Sequence, residues 1–279
     1  MTLTSTQEAI AESALCKLVN VDGEFGRKIL PFPHNASYNP EVMQYDNVSV
    51  ADRIAEIKDT FSPDELTSVS SFVLLCSSGT LETTSFFEFL HWWALSDYSY
   101  KGCVEYLMKY KFRNGQSSFA INFFRESLAT GKLKYEFNTP VSKIRDTKNS
   151  VEVTTRSGVT YTASRMICTI PLNVLNTVAF DPPLSSDKKA AADAGHINQC
   201  IKVHAEILER DMRSWTGVNY PNNKLIYGFG DGTTPAGNTH LVCFGGQHNH
   251  FEPEEDINQT LEALRGFAPM DIERVVSSI

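Results

Sequence analysis

A run of short strand patterns in the middle of the chain limits its fold more than any other feature of the sequence. Between residues 134 and 183, apolar and polar residues alternate over several short stretches, and turn residues such as Ser157-Gly158 separate them. The apolar stretch at residues 166–170 predicts a buried strand, which Pro171 ends because proline cannot donate to a sheet. The pattern predicts a β-meander followed by a buried strand, inside a larger α/β or α+β protein.

Helical patterns occupy most of the chain before this region. Residues 1–24 repeat apolar side chains at helical spacing, and Ser49 stands where the N-cap of a short second helix is expected. The segment Ser62-Pro63-Asp64-Glu65 is a capping box with proline at the first helical position, and it predicts a helix that ends near Gly79. Further helices are predicted at residues 113–131, at 184–195 and after 253–256.

One predicted helix carries more aromatic residues than a single buried face accommodates. Ser85 opens it through a second capping box. Such a helix either packs on two sides or lines an apolar cavity, and the sequence leaves both alternatives open. Its aromatic residues are Phe86, Phe87, Phe89, Trp92 and Trp93.

A second group of strands is predicted after residue 200. The segment 201–207 alternates strictly between apolar and polar residues, which places Lys202, His204 and Glu206 on one face of a strand. By itself, this polar face is typical of the solvated side of a half-exposed sheet. The predicted antiparallel neighbours are residues 225–229 and 240–244, joined by a turn at 231–238.

Charge and hydropathy exclude several classes of function. The net charge of −8 leaves no basic surface for nucleic acid, so we expect no nucleic-acid partner. No apolar run is long enough to span a bilayer, so no membrane span is predicted. The histidines and carboxylates of residues 248–254 fit no zinc spacing, and no metal site is predicted.

The cysteines indicate a reducing compartment. None of the six forms a Cys-x-x-Cys pair, and Cys168 and Cys243 lie in apolar strand patterns. We interpret them as buried free thiols, which are typical of intracellular proteins. The expected location is therefore intracellular, in the cytoplasm or in a peroxisome.

Several motifs follow one another through the strand-rich part of the chain. They are GQSSF at residues 115–119, PVSKI at 140–144, CTIPL at 168–172, DMRSWTG at 211–217 and GDGTTPAGNTHLVCFG at 230–245. In this order and spacing they resemble the flavin-dependent amine oxidases, the family of monoamine and polyamine oxidases. The resemblance is greatest to the fungal monoamine oxidases. It covers most of the chain and weakens before the first of these motifs.

This resemblance implies an α+β fold. The expected architecture combines an amine-oxidase substrate domain, in which helices flank an antiparallel or mixed sheet, with part of an FAD-binding domain formed by the β-meander and the buried strand. Residues 1–111 would form the helical part of the substrate domain, residues 112–184 the central section of the FAD-binding domain, and residues 185–279 the sheet part of the substrate domain.

The resemblance also implies which residues form the site. In these oxidases a lysine on the strand that matches residues 201–207 holds a water against flavin N5, so Lys202 is the expected catalytic residue. Its charge would stabilise the negative charge that develops on the reduced flavin. The positions expected to approach FAD are Val141, Thr169, Ile170 and Pro171, and those expected near the substrate chamber are Tyr227, Phe244 and Gly245.

The implied reaction is the FAD-dependent oxidation of an amine. The neutral amine gives a hydride equivalent to the flavin, the resulting imine hydrolyses to an aldehyde, and oxygen reoxidises the flavin with release of hydrogen peroxide. The cofactor supplies the electronic chemistry, and the protein supplies orientation and a dry chamber that favours the neutral amine. The expected partners are a small-molecule amine and oxygen.

Two features of the family pattern are missing from the sequence. No Gly-x-Gly-x-x-Gly motif opens a βαβ unit to bind the pyrophosphate, and the last flavin-binding segment of the family would lie beyond Ile279. We therefore expect the chain alone to bind FAD weakly or not at all. We also expect exposed apolar surface, which a homo-oligomer or a partner would cover. The alternative function is that of a non-catalytic fragment or interaction module that keeps the substrate-domain fold.

Overall fold

The computed structural model describes residues 5–196 and 198–278, and these residues fall into two compact units. The first unit combines the chain up to Tyr110 with the chain from Asn198, and the second unit is the segment between them. Each unit contains helices and one sheet, which confirms the predicted α+β class.

The helices begin where the sequence places their caps. The Ser62 side chain accepts a hydrogen bond from the Glu65 amide, and the Glu65 carboxylate accepts one from the Ser62 amide, which confirms that capping box. Ser49 and Asp52 form the same reciprocal pair. The α-helices of the described chain are α1 (Ser5–Val19), α2 (Val50–Glu56), α3 (Pro63–Ser77), α4 (Phe86–Leu95), α5 (Tyr100–Val104), α6 (Gly115–Ala129), α7 (Leu172–Leu175), α8 (Ser186–Ala194) and α9 (Ile257–Arg265).

The strands form two separate sheets. The second unit holds a sheet in the order β3-β2-β1-β4, and the first unit holds a sheet in the order β6-β7-β8-β5-β9. The strands are β1 (Val141–Asp146), β2 (Val151–Thr155), β3 (Thr160–Ala163), β4 (Ala179–Asp181), β5 (Ile201–Ile207), β6 (Thr216–Val218), β7 (Leu225–Thr233), β8 (Thr239–Gly245) and β9 (Ile272–Ser278).

The sheet of the first unit is antiparallel throughout, and helix α9 covers one of its faces. The apolar residues of β5 alternate toward α9, and Val203 and Ile207 are fully buried in one cluster with Leu264 of that helix. The polar residues of β5 lie on the opposite face, as the alternation predicts. The predicted antiparallel arrangement of β5, β7 and β8 is confirmed. Strand β9, which pairs with β5, was not predicted.

A helical core packs over the β7 end of the opposite face of this sheet. Helix α3 packs against β6 and β7, and Ile226 and Tyr227 belong to the same buried cluster as the helices. Helix α4 contributes Phe86 and Trp93 to this cluster, while its Phe87 packs against a second, smaller cluster. Of the two alternatives for the aromatic helix, packing on two sides is therefore confirmed.

The second unit contains the predicted meander. Strands β1, β2 and β3 are joined in antiparallel order, and β4 pairs with β1 in parallel. Ile144 is buried at the centre of β1, but the strand residues around it are half-buried or exposed.

The buried strand predicted at residues 166–170 is wrong. The segment has no strand structure, and Ile167 is 91% exposed. Cys168 is exposed as well, whereas Cys243 is fully buried on β8, so the buried-thiol prediction holds for one of these two cysteines. The reason is that an apolar run becomes a buried strand only where neighbouring elements cover it, and the sheet β3-β2-β1-β4 does not include this segment.

Candidate functional site

Three of the predicted site residues lie in one row across the sheet of the first unit. Lys202 on β5 pairs with Phe244 on β8, and Phe244 pairs with Tyr227 on β7. Residues that pair directly in an antiparallel sheet project from the same face. The three side chains therefore share the face opposite α9.

Lys202 projects from the centre of the sheet beside an aromatic ring. Its Nζ atom lies 5.4 Å from the ring centroid of Phe244, a distance at which the ring attracts the cation. The flanking Ile201 and Val203 are buried on the other face and hold the strand in register. The result is a half-buried ammonium group whose position is set by the sheet.

Aromatic side chains continue this row away from Lys202. The rings of Phe244 and Phe229 are stacked with centroids 6.1 Å apart, and the rings of Phe229 and Tyr227 meet edge to face at 6.3 Å. Such contacts add to the burial energy of the rings and restrict their orientations. They form a continuous aromatic surface from Lys202 to Tyr227.

Tyr227 also lines a cavity of about 450 Å³ in the first unit. This volume is within the range of small-molecule sites, which are mostly apolar and contain a few polar groups. Helices α1, α3 and α5 and strands β6 and β7 supply its walls. Its aromatic lining is Phe72, Tyr100, Trp215, Tyr227 and Phe267, and polar lining residues include Gln7, Asp64, Thr67 and Ser68.

Two tyrosine hydroxyl groups come close to each other at this cavity. Tyr227 is 2% exposed, and burial, followed by the nearby Tyr100 phenol, raises its pKa well above the ordinary value of 10. Burial also raises the pKa of Tyr100 to about 12. The Tyr227 and Tyr100 hydroxyls interact with each other, although the contact of the Tyr227 hydroxyl does not reach strict hydrogen-bonding geometry within the described residues. The pair places two phenol groups at the wall of the cavity.

The remaining predicted site residues have different surroundings. Gly245 ends β8, where an added Cβ atom would lie 2.7 Å from the Lys224 carbonyl oxygen, so close backbone packing explains the glycine. Val141 begins β1 in the second unit and is half-buried. Of the segment before α7, Thr169 and Pro171 are exposed and Ile170 is half-buried.

His204 lies on the face of Lys202, as the alternation of β5 predicts, but its partners His240 and Asp231 were not predicted. His204 Nδ1 lies 2.9 Å from His240 Nε2, and His240 Nδ1 lies 3.3 Å from an Asp231 carboxylate oxygen. The alternation of β8 was the available signal, because it places His240 on the same face as Phe244. No sequence signal indicated Asp231, since its segment was predicted as a turn. The structure shows that this segment belongs to β7.

Comparison with known proteins gives the family of the chain. The sequence profile of the family described as flavin containing amine oxidoreductase matches residues 4–278. The chain belongs to this family. The predicted resemblance is therefore confirmed at the level of the family, and the cofactor of the family is a flavin.

Curated relatives of this flavin amine oxidoreductase include bacterial and plant enzymes. Pseudooxynicotine dehydrogenase of a Pseudomonas species is 28% identical over 45% of this chain and 24% of its own length. Nicotine dehydrogenase of Pseudomonas putida is 21% identical over 64% of the chain and 36% of its own length. Polyamine oxidase 4 of rice is 44% identical over 25% of the chain and 15% of its own length. None of these names specifies a monoamine, so a monoamine substrate stays a prediction.

Solved structures show the same fold. Putrescine oxidase bound to putrescine superposes with a TM-score of 0.76 over 100% of this chain, at 16% identity. Cyclohexylamine oxidase from Brevibacterium oxydans superposes with a TM-score of 0.68 over 99% of the chain, at 14% identity. The chain spans 62% and 60% of these two proteins.

Among the described residues, no helix has the length and apolar character needed to cross a bilayer. His, Cys, Asp and Glu side chains in this part of the chain do not gather in groups of three or more that could hold a metal ion.

Proposed function

We propose that this chain provides the substrate-binding part of an FAD-dependent amine oxidase. The reaction oxidises an amine to an imine, which hydrolyses to an aldehyde, and reduces oxygen to hydrogen peroxide. We further propose a small monoamine as the substrate.

The main support for this proposal is the row of contacting aromatic rings that leads from the cavity to Lys202. The cavity offers aromatic side chains, the Asp64 carboxylate and the buried Tyr227 hydroxyl to an amine, and Phe229 and Phe244 lead from Tyr227 to the ammonium group of Lys202. Aromatic faces and a carboxylate both attract a cationic amine.

The residues of this face suit a flavin. When bound, the cofactor supplies the ring that accepts the hydride. Lys202 places a fixed positive charge beside an aromatic ring, and such a charge stabilises the negative charge of a reduced flavin. Val141, Thr169, Ile170 and Pro171 of the second unit are proposed as its further contacts, with Phe244 and Gly245 near the substrate.

A visible absorption spectrum tests whether the chain forms a flavin site. The purified chain is mixed with FAD and desalted, and the bound flavin is measured. From the sequence we expect little flavin to remain, because the glycine-rich phosphate motif is missing. Stoichiometric bound flavin would contradict that expectation and would permit direct assays of peroxide release from simple amines.

Lys202→Met tests the proposed role of the ammonium group. In the fraction of the protein that retains FAD, we expect at least a tenfold slower reoxidation of the reduced flavin by oxygen, measured by stopped-flow absorbance, with unchanged thermal unfolding. Lys224→Met is the matched control, because Lys224 Nζ also lies over an aromatic ring, 5.7 Å from the centroid of Phe251. Equal slowing in both variants, or unfolding of the Lys202 variant, would contradict the proposal.

A second candidate function rests on the aromatic surface of α6. Phe119 and Phe123 are 47% and 64% exposed on that helix, which favours an interaction module. Sedimentation velocity of the wild-type chain and of Phe123→Ser distinguishes the two cases. Self-association that this substitution abolishes would support the module, and a monomeric wild-type chain would contradict it.

A further inference from the structure

The cavity of the first unit is lined by aromatic rings that are fixed against one another. Phe72 and Tyr100 meet edge to face with ring centroids 5.8 Å apart, and Trp215 and Phe267 meet in the same way at 5.6 Å. Tyr227 completes this aromatic lining. Edge-to-face contacts hold neighbouring rings in crossed orientations. A molecule in the cavity therefore meets aromatic side chains whose positions are set by the fold.

Two glycines allow the Trp215 ring to lie directly against the sheet. Gly217 on β6 pairs with Gly228 on β7. A Cβ atom added to Gly217 would collide with the Trp215 ring, and one added to Gly228 would lie 3.3 Å from the same ring. The bare backbone of both strands therefore determines where this wall of the cavity stands.

The described residues that line the cavity carry one negative charge and no positive charge. The negative charge is that of Asp64, an exposed residue in the first turn of α3. Tyr100 and Tyr227 are neutral phenols at neutral pH, because burial raises the pKa of both. The hydrogen bonds and ion pairs of the described chain do not include Asp64, whereas the adjacent Glu65 is held by Lys17. The Asp64 carboxylate can therefore pair with a bound molecule.

An aromatic lining with a single carboxylate suits an organic cation. Aromatic faces attract a cation, and the attraction grows as the cation leaves water. A carboxylate adds an ion pair, and a cleft with one sign of charge concentrates ions of the opposite sign. An anion would be repelled by Asp64, and a neutral molecule would gain from neither attraction. The composition of the cavity therefore selects for positive charge.

The row of aromatic rings has opposite charges at its two ends. Lys202 on β5 lies two strands away from Tyr227 on β7, with Phe244 on β8 between them. Neighbouring strands are about 4.8 Å apart, so the two positions are separated by about 10 Å across the sheet. The Lys202 ammonium group disfavours a second positive charge beside it, whereas Asp64 favours one. We therefore expect the charged form of an amine at the cavity and the neutral form beside Lys202.

We propose that the cavity binds an amine in its protonated form, as an organic ammonium ion with an aryl or bulky alkyl substituent. The ammonium group faces Asp64 and the aromatic rings, and the substituent lies against the Trp215 wall. No bond forms or breaks at this site. The identity of the ion as the substrate rests on the proposed amine oxidation, but its binding requires no flavin. Asp64 and Trp215 are then residues that determine substrate specificity.

Proton NMR spectra of benzyltrimethylammonium test the site in the flavin-free chain. The N-methyl resonances should move upfield as protein is added, because aromatic ring currents shield protons that lie over a ring face, and the shift should saturate. Benzenesulfonate has a similar ring and the opposite charge, and it should bind at least tenfold more weakly. The absence of a saturable shift, or equal affinity for the two ions, would overturn the proposal.

Three substitutions locate the bound cation. Asp64→Asn should weaken binding about threefold, since ion pairs with exposed carboxylates are modest, and should leave the fold intact. Asp59→Asn removes the same charge from an exposed residue that does not line the cavity, and should leave the affinity unchanged. Thr67→Phe places a ring in the cavity and should weaken binding at least tenfold. Unchanged affinity in Asp64→Asn, or in a Thr67→Phe protein shown to be folded by circular dichroism, would contradict the site.

Amine turnover separates this proposal from the proposed function. In the fraction of the protein that retains FAD, Asp64→Asn should raise KM for benzylamine about threefold and leave kcat unchanged, because the cavity binds the amine before it reacts. Binding of benzyltrimethylammonium without turnover of any amine would support the site and contradict the proposed function. Amine turnover by a chain that does not bind this cation would overturn the site alone.

Discussion

The two units of the chain differ in how much apolar surface they bury. In the first unit, three clusters of buried side chains lie among the helices and the sheet, and residues as large as Phe86 and Trp93 are at most 1% exposed. In the second unit, the buried apolar side chains among the described residues are Ile144, Val178 and Ala192. Its exposed side chains include Phe119, Phe123, Tyr135, Phe137 and Ile167.

The two units are therefore stabilised in different ways: the second mainly by backbone hydrogen bonds, the first also by buried apolar side chains. The strands of the second unit satisfy their backbone hydrogen bonds with one another, but they enclose few apolar side chains. The first unit gains roughly 25 cal/mol for each Å² of apolar surface that its clusters remove from water. Its site residues are therefore held by a packed core, whereas the proposed cofactor contacts of the second unit lie on a surface.

The largest expected effect is on the core of the first unit. Trp93 is 1% exposed, and its Nε1–H donates to the Phe25 carbonyl oxygen at 2.9 Å. Trp93→Ala should lower the free energy of unfolding by about 4 kcal/mol, measured by urea denaturation and circular dichroism. The neighbouring Trp92 is 39% exposed, and Trp92→Ala should cost less than about 1 kcal/mol. Similar losses for the two tryptophans would contradict the assignment of the core.

A smaller effect is expected where a carboxylate joins two helices of the same unit. Glu65 on α3 accepts hydrogen bonds from Lys17, at 2.7 Å, and from Ser13, both on α1. These bonds, that of Lys17 first, and the Ser62 amide lower the pKa of Glu65 from 4.5 to about 2. Glu65→Gln should therefore lower the free energy of unfolding by about 2 kcal/mol at pH 7.

The pH dependence of the Glu65 effect has a defined sign. The folded protein holds the pKa of this carboxyl below its unfolded value, so its contribution is complete above pH 4.5 and is lost as the pH falls toward 2. Denaturation of wild type and Glu65→Gln at several pH values should show the difference shrinking in that direction. Asp64→Asn, one residue earlier and exposed, is the control, with less than about 0.5 kcal/mol expected. A pH-independent difference would contradict the role of the ionised carboxylate.

Local patterns predicted the parts of the fold that depend on neighbours in sequence. The N-cap at Ser49, the capping box at Ser62 and the alternation of β5 depend on residues a few positions apart, and the structure confirms them. At Ser85 the structure shows one half of the predicted capping box, the bond from the Glu88 amide to the serine side chain. The same alternation placed Lys202 and His204 on one face. Their pairing with Phe244 and His240 depends on the register between β5 and β8, which a single strand pattern does not contain.

The errors occur where an element depends on distant partners. The apolar residues 166–170 have the composition of a buried strand, yet the sheet of the second unit forms without them. Asp231 was assigned to a turn, because its glycine neighbours are typical of turns, but β7 extends to Thr233. No local pattern predicted the cavity, since Tyr100 and Trp215 reach it from elements far apart in the sequence; only the family resemblance placed a chamber near Tyr227.

The smallest expected effect is in the second unit, at the segment whose strand prediction is wrong. Ile167 is 91% exposed, so Ile167→Ser should change the free energy of unfolding by less than about 0.5 kcal/mol and should reduce the binding of a hydrophobic dye. Ile207, fully buried on β5, is the matched position in the first unit, where the same change should cost about 3 kcal/mol or more. If Ile167→Ser cost as much as Ile207→Ser, contacts in solution would have to cover residues 166–170, and the contrast between the two units would no longer hold.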